Sequence, residues 1–410
     1  MAADSMTEMT NENNRVLSGM RPTGRLHLGH YHGVLKNWVR MQSDYECFFF
    51  VADWHALTTH YDAPHTMNEH VWDMVVDWLA AGVDPEKATM FIQSRVPEHA
   101  ELHLLLSMVT PLGWLERVPS FKDQQQKLKD KDLTTYGFLG YPLLQSADIL
   151  MYRAAHVPVG EDQVPHVELT REVARRFNYF FGRGPDFEEQ VAGAISQMGK
   201  KAAKNFKNLK QAFSEQGSRE AHAEACALVG QQQNINQHQK DQLLGYLEGR
   251  GRAILPEPAA LLTDAAKTPG LDGHKMSKSY GNTIALRDDP KRVEQAIRVM
   301  PTDPARVRLT DPGNPEKCPV WQLHKVYSDA DTREWVRIGC KAAEFGCLEC
   351  KKPLIDKVLQ EQAEIAERAK PYEDNPAMLR EVIEQGNERA GVVARETMEI
   401  VRNAVGTIYR

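Results

Sequence analysis

Ser18-Gly19-Met20-Arg21-Pro22-Thr23-Gly24-Arg25-Leu26-His27-Leu28-Gly29-His30 stands close to the N-terminus, and the fold is read outward from it. Before it, Arg15 to Ser18 reads as a short strand ending in a glycine turn. After it, a helix is expected over Tyr31–Met41, with its N-terminus beside Gly29 and His30. Glu46 to Ala52 is a short continuous apolar run, as suits a strand buried on both faces, and Asp53-Trp54-His55 follows at its carboxyl end. Met67 to Ala81 carries Val71, Met74, Val75, Trp78 and Leu79 at helical spacing and closes at Gly82. Ala88 to Gln93 is the next candidate strand. Strand and helix in alternation predict an α/β, doubly wound parallel sheet of the Rossmann type. Ligands of such sheets collect at the carboxyl ends of the strands, where the 19–24 turn and Asp53 lie.

Bulk properties set the limits. The 410 residues are 42% hydrophobic and 26% charged, a composition of ordinary globular chains, with room for about two or three domains. No apolar run approaches the ~20 residues of a membrane span. Met1–Asn14 is a polar, acidic tail, read as disordered and lacking the features of a secretory signal, so the expected location is cytoplasmic with no membrane partner. A net charge of −6 gives no global attraction to nucleic acid, so RNA binding would need local basic patches.

Further along, helices are expected over Glu101–Met108, Tyr141–Tyr152 and Pro165–Phe181. A strand over Val157–Gln163 runs into a glycine. A polar loop over Pro119–Thr135 carries Lys122, Lys127, Lys129 and Lys131. Residues 187–251 break the rhythm and read as a helical insertion, an exposed hairpin in its plainest form, with lysines at 200, 201, 204, 207 and 210. Contact of those lysines with RNA phosphates is the less favoured reading. Ile254–Leu262 returns to the core. The organisation expected is thus a catalytic domain over 15–186 and 252–290, interrupted at 187–251, and a C-terminal α-helical domain over 291–410. Its helices are placed near Lys291–Met300, Thr332–Phe345, Pro353–Lys370, Pro376–Gln385 and Asn387–Val405.

A second motif, Gly273-His274-Lys275-Met276-Ser277-Lys278-Ser279-Tyr280-Gly281-Asn282, completes the first. Attack on the α-phosphate of a nucleoside triphosphate develops negative charge on phosphoryl oxygens and on departing pyrophosphate. Such a site needs preorganised donors, cations and close backbone approach. Gly19, Gly24 and Gly29 permit that approach, and the helix after His30 points its positive end at the phosphates. His27 and His30 can donate ring hydrogens, Lys275 and Lys278 supply two mobile cations, and Ser277 and Ser279 add donors. A zinc site among His27, His30, His32, His55 and His60 is disfavoured, because none pairs with a Cys or acidic ligand at a recognised spacing. A lone Lys-x-x-Lys is usually a solvated loop, and it is the pairing of the two motifs that favours a site.

"HLGH" with "KMSKS" resembles the class I aminoacyl-tRNA synthetases. "SGMRPTGRLHLGHY", "YPLLQSADILMY", "VPVGEDQVPHVELTREVARRFN" and "GLDGHKMSKSYGN" are similar to the tryptophanyl-tRNA synthetase family, and so is "GWLERVP" at Gly113–Pro119. The resemblance covers residues 15–182 and 252–290 closely and the C-terminal helices more loosely. It implies a ligase that activates L-tryptophan with ATP and Mg²⁺ and transfers it to tRNA(Trp), as a homodimer whose helical domain reads the anticodon. It also implies residue roles. Asp148 would accept the indole N–H, and Tyr141 and Gln163 would hold the amino-acid end. Leu17, Gln145, Val157 and Val159 would line the pocket. Gly160, Glu161 and Asp162 would approach ATP together with Arg21, Pro22, Thr23, Gly29, His30 and the loop Lys275, Met276, Ser277, Lys278, Ser279. Many family members carry Thr and Asn where this chain has His27 and His30, so the histidine roles come from the wider class I pattern.

Cys318, Cys340, Cys347 and Cys350 form C-x21-C-x6-C-x2-C, with Cys347 and Cys350 able to face one way on a helical turn. Four thiolates suit zinc or an iron–sulfur cluster. A subset of the family carries a [4Fe–4S] cluster in the helical domain on a similar pattern, which places iron–sulfur first, zinc second and free thiols last. Three alternatives to the tryptophan ligase stand beside it: a tyrosyl-tRNA synthetase, a small-molecule adenylyltransferase, and a non-catalytic RNA-binding paralogue.

Overall fold

The computed structural model describes residues 14–62, 64–119, 134–184, 186–249, 251–262 and 268–409. The N-terminal tail up to residue 13 and the lysine loop carrying Lys122, Lys127, Lys129 and Lys131 lie outside the described residues. Five strands, β1 (Arg15–Met20), β2 (Glu46–Val51), β3 (Ala88–Ile92), β4 (His156–Val159) and β5 (Ala259–Leu262), hydrogen-bond in the order β3-β2-β1-β4-β5. The pairs β2–β3 and β1–β4 are parallel, with Cys47 opposite Ala88, Val51 opposite Ile92, and Val16 opposite His156. Non-consecutive neighbours joined through helices make this the doubly wound architecture expected from the alternation of elements. Among the described residues no helix is long and apolar enough to cross a membrane.

The chain forms two compact units, each assembled from separate segments. One comprises residues 1–17, 96–261 and 389–410, the other 18–95 and 262–388. In the second unit, five of the six residues of Glu-Cys-Phe-Phe-Phe-Val in β2 are buried. Trp38 stacks on Phe49 at 4.2 Å and meets Trp78 edge-on at 5.0 Å. Trp78 belongs to the Met67–Ala81 helix, whose Val71, Met74, Val75, Trp78 and Leu79 are all buried. Gly82 closes that helix at φ +106, a left-handed conformation suited to glycine, and donates to Leu79 O.

Several boundaries differ from expectation for identifiable reasons. The first helix begins at Leu28 rather than Tyr31, then passes through a π turn, Tyr31–Leu35, into Lys36–Met41. Its cap is His27, whose Nδ1 accepts from Gly29 N, while His30 Nδ1 accepts from His27 N. Histidine is not among the usual capping residues, so the start was not legible. The helix bearing Asp148 spans Tyr136–Met151, beginning at a Thr135 cap that accepts from Phe138 N.

At the other end, Pro376–Val405 is one helix where two were expected across Gly386 and Asn387. That glycine is not a break. A Cβ there would fall 1.7 Å from Met90 O, so Gly386 lets the helix approach β3, and Asn387 Oδ1 accepts from Ile92 N at 3.0 Å. Pro319–Tyr327 is a further helix not anticipated, short but with Val320, Trp321 and Leu323 buried.

Residues 187–249 form four helices rather than a hairpin: Phe187–Gln197, Lys200–Gln216, Arg219–Gly230 and Gln237–Leu247. They enclose a core of their own, including Phe187, Val191, Phe206, Val229 and Leu243.

Candidate active site

The two signature motifs are joined by backbone. Leu28 N donates to Ile284 O at 3.0 Å and Leu286 N to Leu26 O at 3.0 Å, with His27 opposite Ala285 in antiparallel bridging. This short ladder brings the end of the 273–282 loop against the "HLGH" turn. Nothing in the composition of residues 283–286 announced it.

Asn282 shapes the loop itself. Its Oδ1 accepts from Ser277 N at 2.8 Å, and its Nδ2 donates to Asp272 Oδ1 at 2.7 Å and to Lys275 O at 3.2 Å. Met276 is buried, Lys275 is exposed, and Ser277 is half-buried at the start of the Lys278–Tyr280 turn. Gly29 admits the loop: a Cβ there would lie 2.9 Å from the His27 ring and 3.4 Å from Met276 Cβ.

His27 and His30 sit with ring centroids 3.8 Å apart. Burial, then the Lys278 charge, pushes His27 down to about 4. Burial, His27 and both lysines hold His30 well below its ordinary value. Both rings are therefore neutral near pH 7. Because each Nδ1 accepts a backbone N–H, each proton sits on Nε2, and two neutral N–H donors result. Lys278 Nζ donates to Gly24 O at 2.8 Å and to Thr23 O at 3.3 Å. Lys278 is exposed as a residue, but its partly enclosed ammonium end is lowered to about 8 by that burial, with Asp77 and Asp73 acting in the opposite direction. Arg21 is exposed, Pro22 buried and Thr23 half-buried, with Thr23 N turning back to Arg21 O.

A second layer, not anticipated, braces this turn. Arg287 Nε donates to the buried Asp77 at 2.7 Å, and its other nitrogens pair with Asp73 and Glu373. Asp77 in turn accepts from Leu26 N at 3.2 Å. Burial raises Asp77 to about 6 even with Arg287 opposing. No local pattern marks Arg287, whose partners are distant in sequence.

The remaining expected site residues belong to the other unit. Asp148 is fully buried and not solvent-facing. Its Oδ1 meets His99 Nδ1 at 2.6 Å, and His99 Nε2 meets the Tyr152 hydroxyl at 2.7 Å. Burial, then Asp148 and Glu98, push Tyr152 well above its ordinary value, so it keeps its proton. The Asp148 carboxylate accepts from His99 Nδ1, and His99 Nε2 and the Tyr152 hydroxyl share the second hydrogen bond. His99, absent from the sequence reading, lies on the Glu98–Ser107 helix, and only the fold brings it to Asp148.

Tyr141 is buried with its ring 5.7 Å from those of Phe138 and His166. Leu17, Val157 and Val159 are buried, and Gln145 and Gln163 are half-buried. Glu161 and Asp162 are exposed on a short 3-10 turn after Gly160. Gln163 Nε2 donates to Asp162 Oδ2 at 3.0 Å.

The four cysteines lie in one neighbourhood. They come within electrostatic reach: burial, then Cys318 and Cys347 against an opposing Arg306, pushes Cys340 up, and burial followed by its three neighbours takes Cys350 to about 12. Yet among the described residues no group of three or more His, Cys, Asp or Glu is arranged to hold a metal ion. Arg306 Nη1 approaches Cys340 Sγ at 3.9 Å and His324 Nε2 approaches Cys350 Sγ at 3.6 Å. None of the six cysteines forms a disulfide.

The family model for class I tRNA synthetases (W and Y) matches residues 9–207 and 221–360. The chain belongs to that family. Tryptophan–tRNA ligase of Ralstonia nicotianae is 65% identical to this class I synthetase over 395 residues, covering 96% of this chain and 99% of the relative. That of Thermotoga maritima is 43% identical over 397 residues, covering 96% and 100%. Among solved structures, Campylobacter jejuni tryptophanyl-tRNA synthetase complexed with ADP and tryptophan matches with a TM-score of 0.71 at 27% identity. That match covers 96% of this chain and 99% of the other. A tyrosyl-tRNA synthetase from Archaeoglobus fulgidus, at 19% identity and TM-score 0.53, shares the fold.

Proposed function

We propose that this class I synthetase is a tryptophan–tRNA ligase that forms tryptophanyl-adenylate from L-tryptophan and Mg²⁺-ATP and transfers it to tRNA(Trp). The observation that carries this reading is the union of "HLGH" and "KMSKS" through the 26–28 and 284–286 ladder, in a chain 65% identical to a curated tryptophan–tRNA ligase. The tryptophan carboxylate attacks the α-phosphorus, a new P–O bond forms, and the bond to the pyrophosphate oxygen breaks. A ribose hydroxyl of the tRNA terminus then attacks the activated carbonyl, and AMP leaves with the bonding electrons. No covalent nucleophile is required of the protein, so positioning and charge stabilisation carry the rate.

In this mechanism His27 and His30 donate Nε2–H to phosphate oxygens. Lys278 exchanges the Gly24 carbonyl for the phosphates, assisted by Lys275 and by Ser277; the side chain of Ser279, expected beside them, lies outside the described residues. Arg21, Pro22, Thr23, Gly29 and Met276 shape the nucleotide seat, and Gly160, Glu161 and Asp162 approach the nucleotide. Asp148, held by His99, accepts the indole N–H, and Gln163 and Tyr141 hold the ammonium and carboxylate end. Leu17, Gln145, Val157 and Val159 line the pocket. One buried acceptor discriminates well, because phenylalanine offers it no N–H donor.

ATP–pyrophosphate exchange measured with each amino acid tests the assignment. Tryptophan alone is expected to support exchange. Exchange with tyrosine instead would overturn the assignment, and no exchange at all would favour a non-catalytic RNA-binding protein.

A cytoplasmic homodimer, with residues 291–410 reading the anticodon, belongs to the same proposal. For the four cysteines a [4Fe–4S] cluster is the finer reading, with zinc second. Soft donors sharing one neighbourhood, with Arg306 and Lys351 as nearby cations, support it. Protein purified without oxygen would then be brown and contain iron and sulfide, whereas colourless, iron-free protein would end that reading.

A further inference from the structure

The Lys200–Gln216 helix breaks the usual rules of charge placement. It contains five lysines and one glutamate, Glu215. Lys200 and Lys201 occupy the first turn, where the helix dipole disfavours cations and where no acidic residue stands. Lys200, Lys204 and Lys207 follow at i, i+4 and i+7, so one face is a stripe of like charges that repel.

The opposite face explains why the stripe looks outward: Phe206, Ala202, Ala203, Leu209 and Phe213 pack into the insertion's own core. Lys200, Lys201, Lys204 and Lys207 are exposed. None of these four makes an ion pair among the described residues, in contrast to Lys36, Lys87, Lys325 and Lys370, each of which meets a carboxylate. The single acid is itself engaged, Glu215 accepting from Gln211 at 3.1 Å. A local arrangement that opposes its own helix, without an internal partner, calls for an external polyanion.

We propose that this face is a docking surface for the phosphate backbone of the tRNA substrate, with Lys200, Lys204 and Lys207 as the main contacts and Lys201 beside them. The proposal rests on the tRNA-ligase reading. A regularly spaced cationic stripe suits regularly spaced phosphates, and the chain's overall charge of −6 makes a local patch necessary for RNA.

The full-length triple variant Lys200→Gln, Lys204→Gln, Lys207→Gln tests it against the unaltered protein, with tryptophan-dependent pyrophosphate exchange and tRNA aminoacylation measured side by side. Exchange is expected unchanged, which also reports that the variant is folded. The KM for tRNA is expected to rise at least about tenfold at low salt. The slope of log affinity against log salt should fall by roughly 2–3, about 0.7–0.9 for each lost phosphate contact. The Lys→Arg triple variant should restore both. Unchanged KM and salt slope in the glutamine variant, with exchange intact, would overturn the docking surface. Absence of exchange in the unaltered protein would instead overturn the ligase reading.

Discussion

Lys278 Nζ donates to the carbonyl of Gly24 at 2.8 Å, across 254 residues of sequence. The second motif's cation is thus parked on the backbone of the first. A second carbonyl, Thr23 O, lies at 3.3 Å. Neutral carbonyls hold an ammonium less firmly than phosphates do, so the position is one from which Lys278 can be recruited.

The ammonium's lowered value makes this recruitment sensitive to pH. Lys278 is charged below about 8 and loses its charge as pH rises through that value. kcat/KM for ATP in pyrophosphate exchange, which reports the free enzyme, should therefore fall on the alkaline side with an apparent midpoint near 8. Lys278→Arg should move that limb beyond the measurable range. A limb unchanged by the substitution would assign it to another group. On the acid side the sign is opposite. His27 titrates near 4 when folded and 6.5 when unfolded, so the stability that depends on its burial is present above 6.5 and is lost as pH falls towards 4.

Lys278→Ala should slow adenylate formation by about 10²–10³, the usual cost of removing one donor to a developing charge. Tryptophan binding, measured by fluorescence titration, should change little. Equal losses in both would contradict a role confined to the transition state.

Arg287 is a structural keystone for the same turn. Its side chain is 11% exposed and that of Asp77 is 2% exposed. Arg287→Ala leaves Asp77 buried without its cation and should cost about 3–5 kcal/mol in urea unfolding. Combining it with Asp77→Asn should recover much of the loss. A loss below about 1 kcal/mol, the range of an exposed ion pair, would show that the pair is not what holds the turn.

In the proposed tryptophan site, His99 acts through its hydrogen bond to Asp148. His99→Ala removes the donor to a fully buried carboxylate. It should raise the tryptophan Kd and weaken rejection of phenylalanine, with the KM for ATP near its original value. His99→Asn, which retains a donor, should restore part of the discrimination. If ATP and tryptophan weaken in parallel, the role of His99 is general stability.

What the sequence alone determined is everything that repeats locally or spells a known turn. The apolar Glu46–Val51 run and the period of Met67–Ala81 marked the parallel sheet and its covering helix, because burial on two faces or one leaves a direct trace in residue order. Gly24, Gly29, His27, His30, Lys275 and Lys278 marked the two motifs as candidates for the proposed phosphate site, because glycine spacing and paired cations are written in short stretches. Tertiary structure decided the rest. The ladder between Leu26–Leu28 and Ile284–Leu286, the His99–Asp148 hydrogen bond and the Arg287–Asp77 pair each join residues whose own neighbours give no sign of a partner. Gly386 read as a helix break until β3 was found against it. The four cysteines come within electrostatic reach of one another only through the folding of the 318–350 segment. Periodicity records which face a residue turns to the core. It does not record what waits there, and donor, acceptor and charge are matched only when the chain has folded.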